Sequence, residues 1–215
     1  MADRHVAARE SYKSLKTDPS KQLSIWQGTE QGVALTVCTM KADGLTLEDF
    51  KAFQDPAQFP TNMHILDDIL NCRPLDDNLG CEGCYAMYQH IKTPIMVSNR
   101  CCLLAVYNIE LPNGGGIIHL STSKGMKAIE QASTATLIGK DVLSHTILTY
   151  SKIVPCEDGS GCMITSVLCV DPAGSLPDFV KNKIAAQNSG TSENMVKHLR
   201  KQKGLNWLAS DSSCE

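Results

Sequence analysis

Apolar residues recur along this chain at two kinds of spacing, and the two-residue kind predominates. Leu23-Ser24-Ile25-Trp26 alternates, Val33 to Met40 is a β-rich run, and Gly28 to Gly32 supplies a turn between them, so the segment reads as a hairpin. Tyr85 to Ile91, Cys101 to Leu111, Ile117 to Thr122, Asp141 to Val154 and Cys162 to Val170 read as further strands. Pro112 to Gly116 and Cys156 to Gly161 join neighbouring runs by short connections, which predicts an antiparallel sheet.

Helical spacing appears in three places. Ala2 to Leu15 carries helix formers and is stopped by Thr17-Asp18-Pro19-Ser20, because the residue before a proline avoids the α region. Phe59, Met63, Leu66 and Leu70 share one face of a helix over 59–70. Leu176, Phe179, Val180, Ile184, Met195, Val196 and Leu199 follow at three- and four-residue steps, predicting a long closing helix over 176–203. Asn188-Ser189-Gly190 weakens that helix and Gly204 ends it. Leu47 to Phe53 fits a strand or a helical turn equally, and Leu75 to Gly83 reads as loop. Without repeats or a low-complexity linker, the pattern predicts one α+β domain over 1–203 and a tail over 204–215.

Length and charge narrow the function classes. At 215 residues the chain is long enough for a sizeable core, and its net charge of −3 gives no electrostatic support to nucleic-acid binding. The start is polar, no stretch approaches the ~18–20 apolar residues of a membrane span, and no Asn-x-Ser/Thr sequon occurs. These features predict a cytoplasmic protein with reduced thiols. That expectation bears on the ten cysteines, an unusual number beside only eleven aromatic residues. Only Cys81-x-x-Cys84 has metal-like spacing, and it lacks a second pair; Cys101 and Cys102 point to opposite faces of a strand. The cysteines therefore read as small apolar filler and the expectation is no metal.

Catalytic motifs are equally sparse. Ser121-Thr122-Ser123-Lys124 matches Ser-x-x-Lys without its partner motifs. Gly114-Gly115-Gly116 precedes a strand, not the helix that a phosphate cradle needs. The six histidines are scattered, with His119 and His145 in strands where they could face a cavity. No nucleophile, base and orienter come together, so no enzyme and no cofactor are expected. A sheet, a long amphipathic helix and no catalytic constellation suggest a container.

The stretch Asp171-Pro172-Ala173-Gly174-Ser175-Leu176-Pro177-Asp178-Phe179-Val180-Lys181-Asn182 resembles the approach to the last helix in the START lipid-transfer domains. Met195 to Lys201 is similar to the tail of that helix. Pro94-Ile95-Met96-Val97-Ser98-Asn99-Arg100 resembles the family's lead into a central strand, and Ser121 falls where the family places a serine. The resemblance covers nearly the whole chain and implies the helix-grip fold: a curved antiparallel sheet wrapped around a long C-terminal helix, enclosing an apolar cavity. It implies Leu176, Phe179, Val180 and Ile184 as the helix's cavity-facing stripe and Pro112–Gly116 as a gating loop. The strand positions assigned to the wall are Arg100, Cys102, Leu104, Val106, Ile118, Leu120, Ile147, Val167 and Cys169, with small thiols at Cys102 and Cys169 leaving room for a ligand.

Two departures refine the expectation. Arg-Asp becomes Arg100-Cys101, and Val106 stands where sterol-type members place a second arginine. The resemblance therefore implies a monomeric carrier of one lipid, phospholipid or another acyl lipid rather than sterol. Exposing a two-chain lipid's ~30 methylenes to water costs roughly 25 kcal/mol, which a shielded pocket avoids. Lys181, Lys183, Lys197, Arg200, Lys201 and Lys203 against Glu193 suit transient contact with a membrane surface, or form a solvated face. Arg100 reads as a headgroup contact or as a surface ion pair. The alternatives are a cyclase- or hydrolase-like enzyme on the same scaffold, needing His119 or His145 paired with Asp or Tyr150, and a lipid sensor that transfers nothing.

Overall fold

The computed structural model describes residues 1–65, 69–75, 83–93, 97–126, 140–174, 176 and 190–205. Its strands are β1 (Lys13–Asp18), β2 (Leu23–Glu30), β3 (Val33–Asp43), β4 (Ile69–Leu75), β5 (Cys84–Ile91), β6 (Arg100–Leu111), β7 (Gly116–Thr122), β8 (Val142–Leu143), β9 (His145–Pro155) and β10 (Gly161–Asp171). Nine of them form one antiparallel path, β1-β2-β3-β10-β9-β7-β6-β5-β4, and the short β8 pairs in parallel with the start of β6. The described helices are α1 (Ala2–Ala8), α2 (Leu47–Gln54), α3 (Phe59–Asn62) and α4 (Thr191–Gln202).

Local chemistry sets the corners. Gln31 and Gly32, both at positive φ (51° and 79°), make the two-residue turn between β2 and β3, which matches the twist of the flanking strands. Gly116 opens β7 at φ 136°, where a Cβ would lie 2.4 Å from the Ile153 carbonyl oxygen, so the close β7–β9 approach admits only glycine. Asp49 in the first turn of α2 accepts from the Thr46 backbone N–H (2.7 Å) and hydroxyl (2.9 Å), which starts that helix. Lys203, just after α4, reaches the same carboxylate at 2.8 Å and ties the two helices together.

Both faces of the sheet are covered. On the front, Met40, Ala42, Val106, Ile153 and Ile164 pack against Phe50 and Phe53 of α2 and Met195, Val196 and Leu199 of α4. On the back, Leu35, Val37, Leu148, Tyr150, Val167 and Cys169 lie under Ala2, Val6 and Tyr12. A second back patch joins Ala86, Tyr88, Cys101, Leu103 and Ala105 to Met126.

The elements depart from expectation in identifiable ways. The N-terminal helix stops at Ala8, and Lys13–Asp18 is the exposed edge strand β1, with Leu15 40% accessible. The helix over 59–70 shrinks to Phe59–Asn62 and a 3-10 turn at Met63–Ile65, and Ile69–Leu75 is strand. Leu47–Gln54 is helix. Leu205, assigned to a tail, packs against the core, and its N–H bonds the Arg200 carbonyl at 2.9 Å. Most of the loop over 75–83, and the first half of the closing helix with Phe179, Val180 and Ile184, lie outside the described residues. Cys84 is disulfide-bonded, against the expectation of reduced thiols, whereas Cys38, Cys72, Cys101, Cys102, Cys156, Cys162 and Cys169 are free. No described helix is long and apolar enough to cross a membrane.

Candidate functional site

A cavity of about 330 Å³ lies on the front face, between β5, β6, β7, β9 and β10 on one side and α2, α3 and α4 on the other. That volume falls at the lower end of ligand pockets, roughly 300–1,000 Å³. Its walls differ in chemistry. Phe53, Phe59, Met63, Ile65, Ile69, Met87 and Ile91 form an apolar side. His119 and Ser121 of β7, Ser144, and Thr146, Thr149 and Ser151 of β9 form a hydroxyl-rich side, and Thr191, Ser192 and Asn194 of α4 add polar groups. No carboxylate lines the cavity among the described residues.

Arg100 is the buried cation of this site, only 4% accessible. Its Nε donates to the Pro172 carbonyl (2.9 Å), Nη2 to the Ala173 carbonyl (3.3 Å) and Nη1 to the Ser98 carbonyl. It has no carboxylate partner among the described residues, and burial pushes its pKa down. The surface ion-pair reading is thereby corrected: Arg100 spans the strand end and the 172–174 corner. There Ala173 sits at φ 55° with its N–H bonded to Asp171 Oδ1 (2.9 Å). The fork uses three of its five N–H groups and leaves two.

His119 marks the other pole. Its Nδ1 lies 2.8 Å from Asn108 Oδ1, Asn108 Nδ2 donates to the Gln54 carbonyl (3.0 Å), and the Phe59 ring is 5.2 Å away. Burial pushes the imidazole pKa down to about 4, so it is neutral at physiological pH. Ser144 donates to the Cys101 carbonyl (3.2 Å) and so receives the Cys102 thiol at 2.8 Å. Burial raises that thiol's pKa and leaves it unreactive.

The structure brings Arg100, Cys102 and Leu104 together on the cavity wall. Val106 shares their face but is sealed in the front core. Ile118, Leu120, Ile147, Val167 and Cys169 belong instead to the back face under α1, a correction with two causes. The back face is itself apolar because the N-terminal segment covers it, and an irregularity opposite Cys169–Val170 shifts the alternation on β9, so that Thr146 and Thr149 both face the cavity. Leu176 is buried at 8% accessibility but is not among the wall residues. Ser121, Thr149 and Ser151 were missed as wall residues, and His119, placed where it could face a cavity, does line it; the polar alternation of His119 and Ser121 against Ile118-x-Leu120 was the signal. His145 is exposed and does not line the cavity, Tyr150 is on the back face, and no Asp lines the cavity among the described residues, so His119 is there without the Asp or Tyr150 partner that the enzyme alternative needs. No cluster of three metal-ligating side chains occurs among the described residues.

No family model matches the sequence, nor does any curated protein. Solved structures do. Human StAR-related lipid transfer protein 5 superposes with a TM-score of 0.71 at 12% identity, over 94% of each chain. Human STARD10 gives 0.69 at 18% identity, over 94% of this chain and 79% of its own. A STAR-related lipid transfer protein fragment from Xanthomonas axonopodis gives 0.65 at 16% identity, over 88% and 98%. The antiparallel sheet closed by a C-terminal helix is thus the START-like helix-grip α+β fold.

Proposed function

We propose that residues 1–203 form a monomeric cytoplasmic domain that binds one lipid in the front-face cavity and transfers it between membranes. The observation that carries this reading is the cavity itself: a pocket with one apolar wall, a buried cation at one end and, among the described residues, no facing carboxylate. An acyl chain lies along Met63, Ile69, Met87 and Leu104, and the two free N–H groups of Arg100 hold an anionic headgroup such as phosphate or carboxylate. Val106, sealed in apolar core where sterol-type members of the family carry an arginine, favours phospholipid or another acyl lipid over sterol. The structural neighbours named as lipid transfer proteins support lipid binding and transfer as such.

Release is proposed at the closing helix and the Pro112–Gly116 connection. The basic residues of the helix are less available to a membrane than their number suggests. Lys197 pairs with Glu193 (3.4 Å), Lys203 with Asp49 (2.8 Å), and Arg200 donates to the Asp43 carbonyl. Membrane contact therefore rests on partial exchange of these bonds. The test is vesicle-to-vesicle transfer with a panel of phospholipids, fatty acids and sterols, beside native mass spectrometry of co-purified lipid. Transfer of an acyl lipid that Thr149→Phe abolishes by filling the cavity is the expected result. No transfer of any lipid in the panel overturns the reading, and binding without transfer makes the protein a sensor.

A further inference from the structure

The polar end of the cavity opposite Arg100 is built around one acceptor. Asn108 Nδ2 donates to the Gln54 backbone carbonyl, which only accepts, so the amide is held with Oδ1 toward His119. Oδ1 also only accepts, so the proton of the neutral imidazole must sit on Nδ1, pointing at Asn108 across 2.8 Å. His119 Nε2 is left as a bare lone pair. It has no partner among the described residues, yet it is not among the buried polar atoms that are sealed off unpartnered. The residue lines the cavity and is 6% accessible, so the lone pair opens inward. Burial, which keeps this imidazole neutral, preserves the acceptor at physiological pH.

We infer that His119 Nε2 accepts a hydrogen bond from a hydroxyl group of the bound lipid and makes the cavity selective for hydroxyl-bearing lipids. The inference rests on the lipid-binding reading and adds the chemistry of the ligand's second pole. His119 is the register partner of Asn108, eight residues along β6 from Arg100, or about 26 Å at ~3.3 Å per residue. An anionic group at Arg100 and a hydroxyl at the far end of an acyl chain fit that span. A sterol hydroxyl has the same donor chemistry and would use the same lone pair. Ser151, directly opposite His119 on β9, and Ser121 both donate and accept and cannot impose this preference.

Two ligand pairs test the inference by competition binding: ω-hydroxypalmitate against palmitate, and cholesterol against cholestenone. The wild-type protein is expected to bind the hydroxyl member of at least one pair roughly tenfold more tightly, the worth of one hydrogen bond in a water-excluded site. His119→Leu is expected to erase that preference, so that the two members of each pair bind the variant alike. The imidazole nitrogen NMR shifts of the unliganded wild-type protein, with His119→Leu used only for assignment, are expected to report Nδ1 protonated and Nε2 bare. Should the variant fail to fold, assignment by proximity to Phe59 keeps that readout. The opposite tautomer, or equal affinity within both pairs, overturns the inference and leaves lipid binding standing. Failure of all four ligands to bind overturns the inference, and the lipid reading falls with it only where the phospholipids of the vesicle panel fail as well.

Discussion

Replacing Arg100 with Leu isolates what the guanidinium does before any ligand arrives. Three carbonyls, those of Ser98, Pro172 and Ala173, lose their donor. Each of these bonds is part-buried, so each orphaned acceptor costs about 1 kcal/mol, near the lower end of the usual range. The sum is about 3 kcal/mol. For a chain of this size, 1 kcal/mol shifts Tm by about 2–4 °C, so Arg100→Leu should lower Tm by about 6–12 °C in a calorimetric melt. A second variant ties the loss to the corner. Ala173 holds φ 55°, a left-handed angle that costs a residue with a Cβ about 1–2 kcal/mol. Ala173→Gly in the Arg100→Leu background should therefore recover about 1 kcal/mol, whereas Arg100→Lys, a point donor without the fork, should recover only part of the loss. A Tm within 2 °C of wild type for Arg100→Leu would refute the idea that this side chain bolts the 172–174 corner to β6.

Two further outcomes follow from the titrating groups. Acid should destabilise the protein in two stages. The folded His119 titrates far below the ordinary value of about 6.5, so its contribution is complete above that value and is lost as pH falls toward about 4. Burial alone would raise the Glu193 carboxyl, but the Lys16 hydrogen bond and charge, joined by Lys197, outweigh it and hold its pKa down; its contribution is present above the ordinary value and is lost as pH falls through the depressed one. Denaturant titrations across pH should lose the lower stage in Glu193→Gln and the upper one in His119→Leu; unchanged profiles would refute the assignment. Among the described free thiols, labelling of the native protein should modify half-buried Cys156 first, because burial pushes Cys38, Cys72, Cys101, Cys162 and Cys169 up to about 11. Mass spectrometry finding Cys101 or Cys169 labelled as fast as Cys156 would contradict the packing of the back face.

Strands with one repeating alternation were legible from sequence, and elements whose pattern is interrupted were not. The β2–β3 hairpin and the run from β5 to β10 appear close to where the pattern put them, with the two-residue alternation slipping on β9 opposite Cys169–Val170. In β4 a register shift between Ile69 and Asn71 leaves Ile69 and Cys72 as the buried positions, and three-residue spacing looks helical. β1 is an exposed edge without a buried residue, so nothing apolar marked it as a strand. The C-terminal corner was legible because proline and glycine fix backbone angles locally, but the partner that holds it, Arg100, is about seventy residues away in sequence.

The cavity wall was hidden by a reasonable assumption, that the apolar side of a strand faces the lipid. In β7 the apolar residues Ile118 and Leu120 face the back, where α1 makes a second core, and His119 and Ser121 face the cavity. The same exchange occurs on β10, where Cys169 packs behind and Leu168 and Val170 face forward. Only Cys102 of the two proposed pocket thiols lines the cavity. A sheet covered on both sides cannot reveal its parity from hydrophobicity, because burial of apolar area is worth the same on either face. Polar side chains break that symmetry. A hydroxyl or imidazole is costly in a dry core unless partnered, so a buried alternation of them marks the face with a ligand or water to meet. By that criterion His119, Ser121, Thr149 and Ser151 identify the cavity side of the sheet, and the scarcity of aromatic side chains on the same strands leaves the space open.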